Sequence, residues 1–237
     1  MKDTVIEPLI AEKLNNKLTD SLVDTKTNKV VKNFGELDKS DQVLTASKLL
    51  EQNKDYVGWL TVKGADISLP VVHPDNNDKY VRRGYDGDYL FAGTLFVDAR
   101  VDSMFDRNII IYGHNMGNGS MFGSLRNYRT SDKSFYKENN LITFHTIYGA
   151  FTYEIFAAYT ADGTGDNDKS FISKAVVTNP SNEDFINYIN QVYKKRYCDP
   201  GVDVRENDKI ITLITCDKAQ WETGRLVVLG RLVSFTK

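Results

Sequence analysis

The chain has 237 residues, and its 30 Lys and Arg against 32 Asp and Glu give a formal charge of −2, too balanced for a protein devoted to a phosphate backbone. A hydrophobic content of 41%, with 12 Phe, 13 Tyr and 2 Trp, supplies a buried core and excludes disorder as a description of the whole. Two cysteines, Cys198 and Cys216, are too few for a disulfide framework and, by themselves, for a tetrahedral metal site.

The first 20 residues hold no apolar stretch of signal-peptide length, and no run further on has the length of a membrane span. Residues 1–55 are polar and lack strand-like alternation. Within them, LDKSDQVLTASKLLEQ predicts a packing helix over 38–53, with Ser40 as N-cap and Val43, Ala46, Leu49 and Leu50 on its apolar side. From Tyr56 onward eight short β-branched and aromatic runs follow: YVGWLTV, ISLPVV, YLFAGTLFV, NIIIYG, LITFHTI, FTYEIFAAYT, KIITLITC and RLVVLGRLVSF. They predict an antiparallel barrel or sandwich. One segment between the sixth and seventh runs breaks the pattern. In SNEDFINYINQVYKKRY (181–197), Phe185, Tyr188, Ile189, Val192 and Tyr193 fall on one helical face, and Ser181 or Asn182 opens an acidic first turn.

Three residues at strand ends have the types that acyl-transfer chemistry needs. Cys216 ends the run KIITLITC, and Arg225 opens the next run nine residues later, a spacing that returns it toward the thiol across an antiparallel hairpin. His114 follows NIIIYG, where the Gly-rich stretch NMGNGSMFG begins. An unperturbed thiol is only a few per cent thiolate at neutral pH, so a nucleophilic Cys needs a nearby base or cation. His can also return a proton to a leaving amine, whereas Arg stays charged and serves only as a hydrogen-bond donor to an oxyanion. The same three residues also read as a small buried hydrophobe, a turn residue and a solvated cation, and the spacing alone does not choose between the two sets of roles.

The wider motifs do choose. TLITC (212–216) followed by Arg225 resembles the TLxTC…R signature of sortases, the cysteine transpeptidases that attach surface proteins to Gram-positive cell walls or polymerise pilins. VGWLTVKGADISLPVV (57–72), YDGDYLFAGTLFVDAR (85–100), IIIYGHNMGNGSMFGSL (109–125) and FTYEIFAAYTAD (151–162) resemble the family in the same order, over about residues 56–235. The polar N-terminal segment, the IYGHNM…MFG block and the helix before the cysteine strand look like class B. Two positions depart from that class: Ile214 stands where Ser is usual, and His73 where Gln is common.

The resemblance implies a mainly β fold with helices: an eight-stranded β-barrel catalytic domain over 56–237, a helical segment over 1–55 packed on it, and a helix inserted before the cysteine-bearing strand. It implies Cys216 as nucleophile, His114 as proton carrier and Arg225 as oxyanion or carbonyl donor, with Ile214, Thr215, Leu90 and Asp217 contacting substrate. The implied substrate is a sorting peptide of NPxTN or xPxTG type cleaved after Thr. The acceptor is an amine of a peptidoglycan precursor or a pilin, with no cofactor, no metal and no nucleic acid. An extracytoplasmic enzyme held at the membrane by an N-terminal anchor outside this chain is the implied setting. Papain-like hydrolases place Cys before His in the chain, the reverse of the order here; a hydrolase that passes its acyl group only to water and a non-catalytic binding barrel are the remaining alternatives.

Several other residues read as structural. Asp162, Asp166 and Asp168 cluster without the spacing of a calcium loop. His73 and His145 read as strand or rim residues, and Cys198 as a bystander. Asp98 in FVDAR is a candidate brace for the site with no role legible from its position.

Overall fold

The computed structural model describes residues 13, 16–18, 20, 22–162, 172–216 and 223–237. In chain order, a two-strand ribbon of β1 (Val23–Asp24) and β2 (Lys29–Val30) precedes helix α1 (Lys39–Gln52). Strands β3 (Tyr56–Val62), β4 (Ile67–Val72), β5 (Leu95–Val97) and β6 (Asn108–Tyr112) come next. Helix α2 (Lys133–Glu138), β7 (Leu141–Thr146), β8 (Gly149–Asp162), α3 (Ile172–Ala175), α4 (Asn182–Lys195), β9 (Ile210–Cys216) and β10 (Gly224–Thr236) complete the order. The eight strands β3 to β10 close a barrel in the order β10-β8-β7-β3-β4-β5-β6-β9.

Each of the eight runs contributes one barrel strand, but the barrel is not antiparallel throughout. β4 pairs with β5 in parallel, and β6 pairs with β9 in parallel over five residues, Asn108↔Ile210 through Tyr112↔Ile214. Parallel neighbours need long crossovers. The β6–β9 crossover carries α2, β7, β8, α3 and α4. The run YLFAGTLFV is a strand only over Leu95–Val97; Tyr89–Thr94 is irregular, because Gly93 turns there with φ +62° and a Cβ on it would lie 2.4 Å from the Tyr80 carbonyl oxygen.

Two apolar layers explain why β9 is buried along nearly its whole length instead of alternating. Ile211 and Leu213 belong to the core filling the barrel, whereas Ile210 and Ile214 belong to a second cluster outside it, under α4. Leu226 and Val228 of β10 likewise point inward, and Val227 and Leu229 outward. Helix α4 covers that outer face with Phe185, Tyr188, Ile189 and Val192, each buried, worth about 1.5–3 kcal/mol apiece. Ser181 caps it by accepting from Asp184 N at 3.1 Å.

Helix α1 forms as expected but with a different cap and a different inward face. Asp38, not Ser40, is the N-cap and accepts from Asp41 N at 3.0 Å, while the Ser40 hydroxyl donates to Asp38. The buried residues are Asp41, Thr45 and Leu49. Val43 is 67% exposed, because the inward position goes to Asp41, whose carboxylate accepts from Thr25 N at 2.9 Å and Thr25 Oγ1 at 2.8 Å. Val43, Ala46 and Leu50 instead border an open groove with His145, Ile147 and Tyr148. A third cluster joins Leu22, Phe34, Leu37 and Leu49 to Trp59, Tyr80, Tyr85 and Phe96 of the barrel side.

Candidate active site

Side chains alternate across a strand with period two, and that period places the predicted trio on one face. Cys216 shares the outward parity of Ile210 and Ile214, and Arg225 that of Val227 and Leu229. His114 follows Ile110 and Tyr112, which pack in or against the outer cluster. In the antiparallel register Arg225 stands directly opposite Cys216. Gly113 N donates to Ile214 O at 3.2 Å, extending the β6–β9 pairing toward His114, and Asn115 Nδ2 donates to the Cys216 carbonyl at 2.6 Å. The strand ends thereby bring His114, Cys216 and Arg225 to the wall of one cleft of about 340 Å³.

The cleft is also lined by Ile214 and Thr215, by Tyr112, and by Asn77, Tyr80, Val81, Ala92, Thr94 and Phe96 from the β4–β5 crossover and β5. Among the described residues Thr215 Oγ1 and His114 Nε2 are buried without a hydrogen-bond partner, which leaves both with capacity for a ligand. Leu90 is not on this wall: it is 4% exposed and packs in the barrel core, while Ala92 and Thr94, two and four residues further on, reach the cleft. Asp217 lies outside the described residues.

The His114 ring is held neutral. Burial pushes its pKa down to about 4, the Arg82 cation acts in the same direction, and a hydrogen bond to the Phe91 backbone carbonyl opposes them. Arg225 uses Nη1 to donate to the carbonyls of Thr223 at 2.9 Å and Gly224 at 3.0 Å. Among the described residues no hydrogen bond engages its Nε or Nη2, so part of the planar fork is available. Both cysteines are free thiols. Cys198 is buried in the barrel core, and that burial pushes its thiol pKa up.

Asp98, which had no legible role, is fully buried beneath the site. It accepts from Arg100 Nε at 2.8 Å, Arg100 Nη2 at 2.6 Å, Arg100 N at 2.9 Å and the Tyr112 hydroxyl at 2.9 Å. Burial alone would raise its pKa, but these donors hold it below the usual carboxylate range. Asp98 thus fixes Tyr112, a cleft residue. His73 is half-buried and outside the cleft lining, and its backbone N donates to Asp55 O at 2.7 Å. His145 packs against Phe34, with ring centroids 5.3 Å apart. Asp162 accepts from Thr223 Oγ1 at 2.6 Å, while Asp166 and Asp168 lie outside the described residues.

The sortase-domain profile matches residues 60–233. The chain belongs to the sortase family. Its curated relatives place this sortase in class B: it is 33% identical to sortase B of Listeria monocytogenes over 94% of this chain and 88% of the relative. Two solved structures share the fold. A mutant form of Clostridium perfringens sortase B superposes with TM-score 0.79 at 27% identity, covering 94% of this chain and 98% of that one. The Staphylococcus aureus sortase B–substrate complex superposes with TM-score 0.77 at 26% identity, covering 97% and 99%. This sortase is therefore a cysteine transpeptidase of the class that anchors surface proteins on Gram-positive cells. Among its described residues no helix is long and apolar enough to cross a membrane.

Reading the sequence missed most of the sortase cleft lining. Asn77, Tyr80 and Val81 lie in a polar stretch without period, and only the fold brings them to the wall. Tyr112 carried a signal, because it shares the parity of His114 two residues on. Asn115 carried a weaker one as the immediate neighbour of that histidine.

Proposed function

We propose that Cys216, His114 and Arg225 carry the transpeptidation. The observation that supports this most is the pairing of Arg225 opposite Cys216 on β10 and β9, with His114 at the end of the strand parallel to β9, all on one cleft. His114, neutral at rest, takes the proton of the Cys216 thiol. The thiolate attacks the carbonyl carbon of Thr in a sorting peptide, and the oxyanion of the tetrahedral intermediate receives hydrogen bonds from the free side of Arg225. The imidazolium gives its proton to the departing amine, leaving a thioester on Cys216. An incoming amine attacks the thioester, His114 accepts the amine proton, and the thiolate leaves and is reprotonated.

The substrate we assign is an extended peptide ending in an NPxTN-like or xPxTG-like motif, with Ile214 and Thr215 on the wall beside the scissile bond. Support for a substrate in this cleft comes from the structural likeness to the S. aureus sortase B–substrate complex. The acceptor is an amine of a peptidoglycan precursor or a pilin. We read the reaction as extracytoplasmic and the enzyme as membrane-held, with residues 1–55 as a packing segment on the catalytic barrel of 56–237. The test is incubation with quenched sorting peptides, with and without triglycine, followed by mass spectrometry. A thioacyl adduct on Cys216 and amine-dependent ligation products are expected. Cleavage indifferent to the amine would mean a hydrolase, and no adduct with any peptide would remove Cys216 from the role.

A further inference from the structure

A side chain outside the cleft holds the proton carrier in place. Residues 82–91 fold back as a small hairpin: Leu90 N donates to Arg82 O at 3.1 Å, and Arg83 bridges Tyr89. Arg82 and Phe91 consequently face one another. The Arg82 guanidinium lies over the Phe91 ring, 3.8 Å from its centroid, and its Nη1 donates to the Phe91 carbonyl at 2.7 Å. Phe91 in turn sets its ring against the His114 imidazole, with centroids 5.9 Å apart, and its backbone carbonyl favours the protonated ring. One guanidinium thus grips both the ring that packs against His114 and the carbonyl of the same residue.

We propose that Arg82 is a positioning residue for the transfer reaction, acting through Phe91 to hold the His114 imidazole in its working orientation. Arg is suited to this because its planar fork can stack on a ring and donate in its own plane at once, whereas a Lys ammonium is a point donor. The clamp has an electrostatic consequence too. Of the charged and titratable groups among the described residues around His114, Cys216 comes from β9, Arg225 from β10, Tyr112 from β6 and Tyr80 from the β4–β5 crossover. The Arg82 charge opposes protonation of the ring. The guanidinium therefore both aims the imidazole and disfavours its charged form.

The inference rests on the assignment of His114 as proton carrier, so one arm of the test does not depend on turnover. The chain has three histidines, which an NMR titration resolves by assignment. Because Arg82 is exposed, its substitution leaves the barrel core intact. Arg82→Gln removes the charge, and the His114 midpoint rises by about half a unit or more while those of His73 and His145 stay in place. Arg82→Lys keeps the charge but loses the two-point grip. Its His114 midpoint stays near that of the wild type, kcat for peptide ligation falls by about tenfold, and KM holds. Wild-type kcat in Arg82→Lys, or an unmoved His114 midpoint in Arg82→Gln, overturns the assignment. If the wild type shows no turnover at all, the titration arm still decides whether Arg82 acts on His114, and the functional reading fails separately.

Discussion

The roles proposed for His114 and Arg225 differ by what their protons can do. His114 is pushed down to about 4 by burial and by Arg82, so at pH 7 only about one molecule in a thousand carries the imidazolium before the thiol proton moves. Between its unfolded value near 6.5 and its folded value near 4, the unfolded chain binds the extra proton. Lowering pH through that window therefore destabilises the fold, and the His114→Gln variant is expected to lose part of this slope in melts run from pH 7 to pH 4. Arg225 has no proton to give up, so the contribution proposed for it is geometric. Arg225→Lys keeps the charge and loses the fork, and kcat for ligation is expected to fall by about 10²–10³; a rate near wild type would remove Arg225 as the oxyanion donor. Cys216→Ala is expected to abolish both adduct and cleavage, read by mass spectrometry. Thiol labelling of the native protein should then modify Cys216 and spare the buried Cys198 until denaturant is added.

Helices and strands were legible to different degrees, for identifiable reasons. The α4 pattern was readable because its apolar residues recur at helical spacing behind a capping Ser. Phe185→Ala is expected to cost about 3–5 kcal/mol, since the ring is buried and carries the Arg107 guanidinium 4.0 Å from its centroid, and Ser181→Ala about 1 kcal/mol, both measurable by denaturant unfolding. Helix α1 was readable as a helix but not as to face, because the Thr25 partnership that lets Asp41 turn inward lies 16 residues away. Its C-terminal end proves to brace the cleft. The Tyr85 hydroxyl donates to Leu49 O at 2.7 Å, Asn53 Nδ2 donates to Tyr85 O at 2.9 Å, and the Tyr80 hydroxyl reaches Asp55 at 2.9 Å. Tyr85→Phe is expected to cost about 0.5–1.5 kcal/mol and to raise KM for peptide, because the crossover carrying Tyr80 and Val81 loses an anchor.

Across the whole molecule, the eight strands were visible as runs, and the Cys216–Arg225 hairpin pairing was visible from nine residues of spacing. Closure was not. The parallel β6–β9 contact joins residues about a hundred positions apart, and no local pattern in NIIIYG or KIITLITC distinguishes a parallel neighbour from an antiparallel one. The expectation of a wholly antiparallel sheet failed there and at β4–β5. Leu90 and Ala92 both pack in the barrel core, yet only Ala92 also touches the cleft, a difference that no alternation pattern in this irregular stretch predicts.

That parallel contact has a bearing on when the enzyme becomes dangerous to its surroundings. His114 and Cys216 meet only where the most widely separated of the paired strands zip together, and no hairpin or helix pair can form the couple earlier. Long-range pairings close late. In refolding from denaturant, peptide ligation should therefore reappear with the slowest phase of tryptophan fluorescence and trail the first gain of strand signal by circular dichroism. On the proposed mechanism, a partly folded chain would lack the Cys216–His114 couple until these last contacts form.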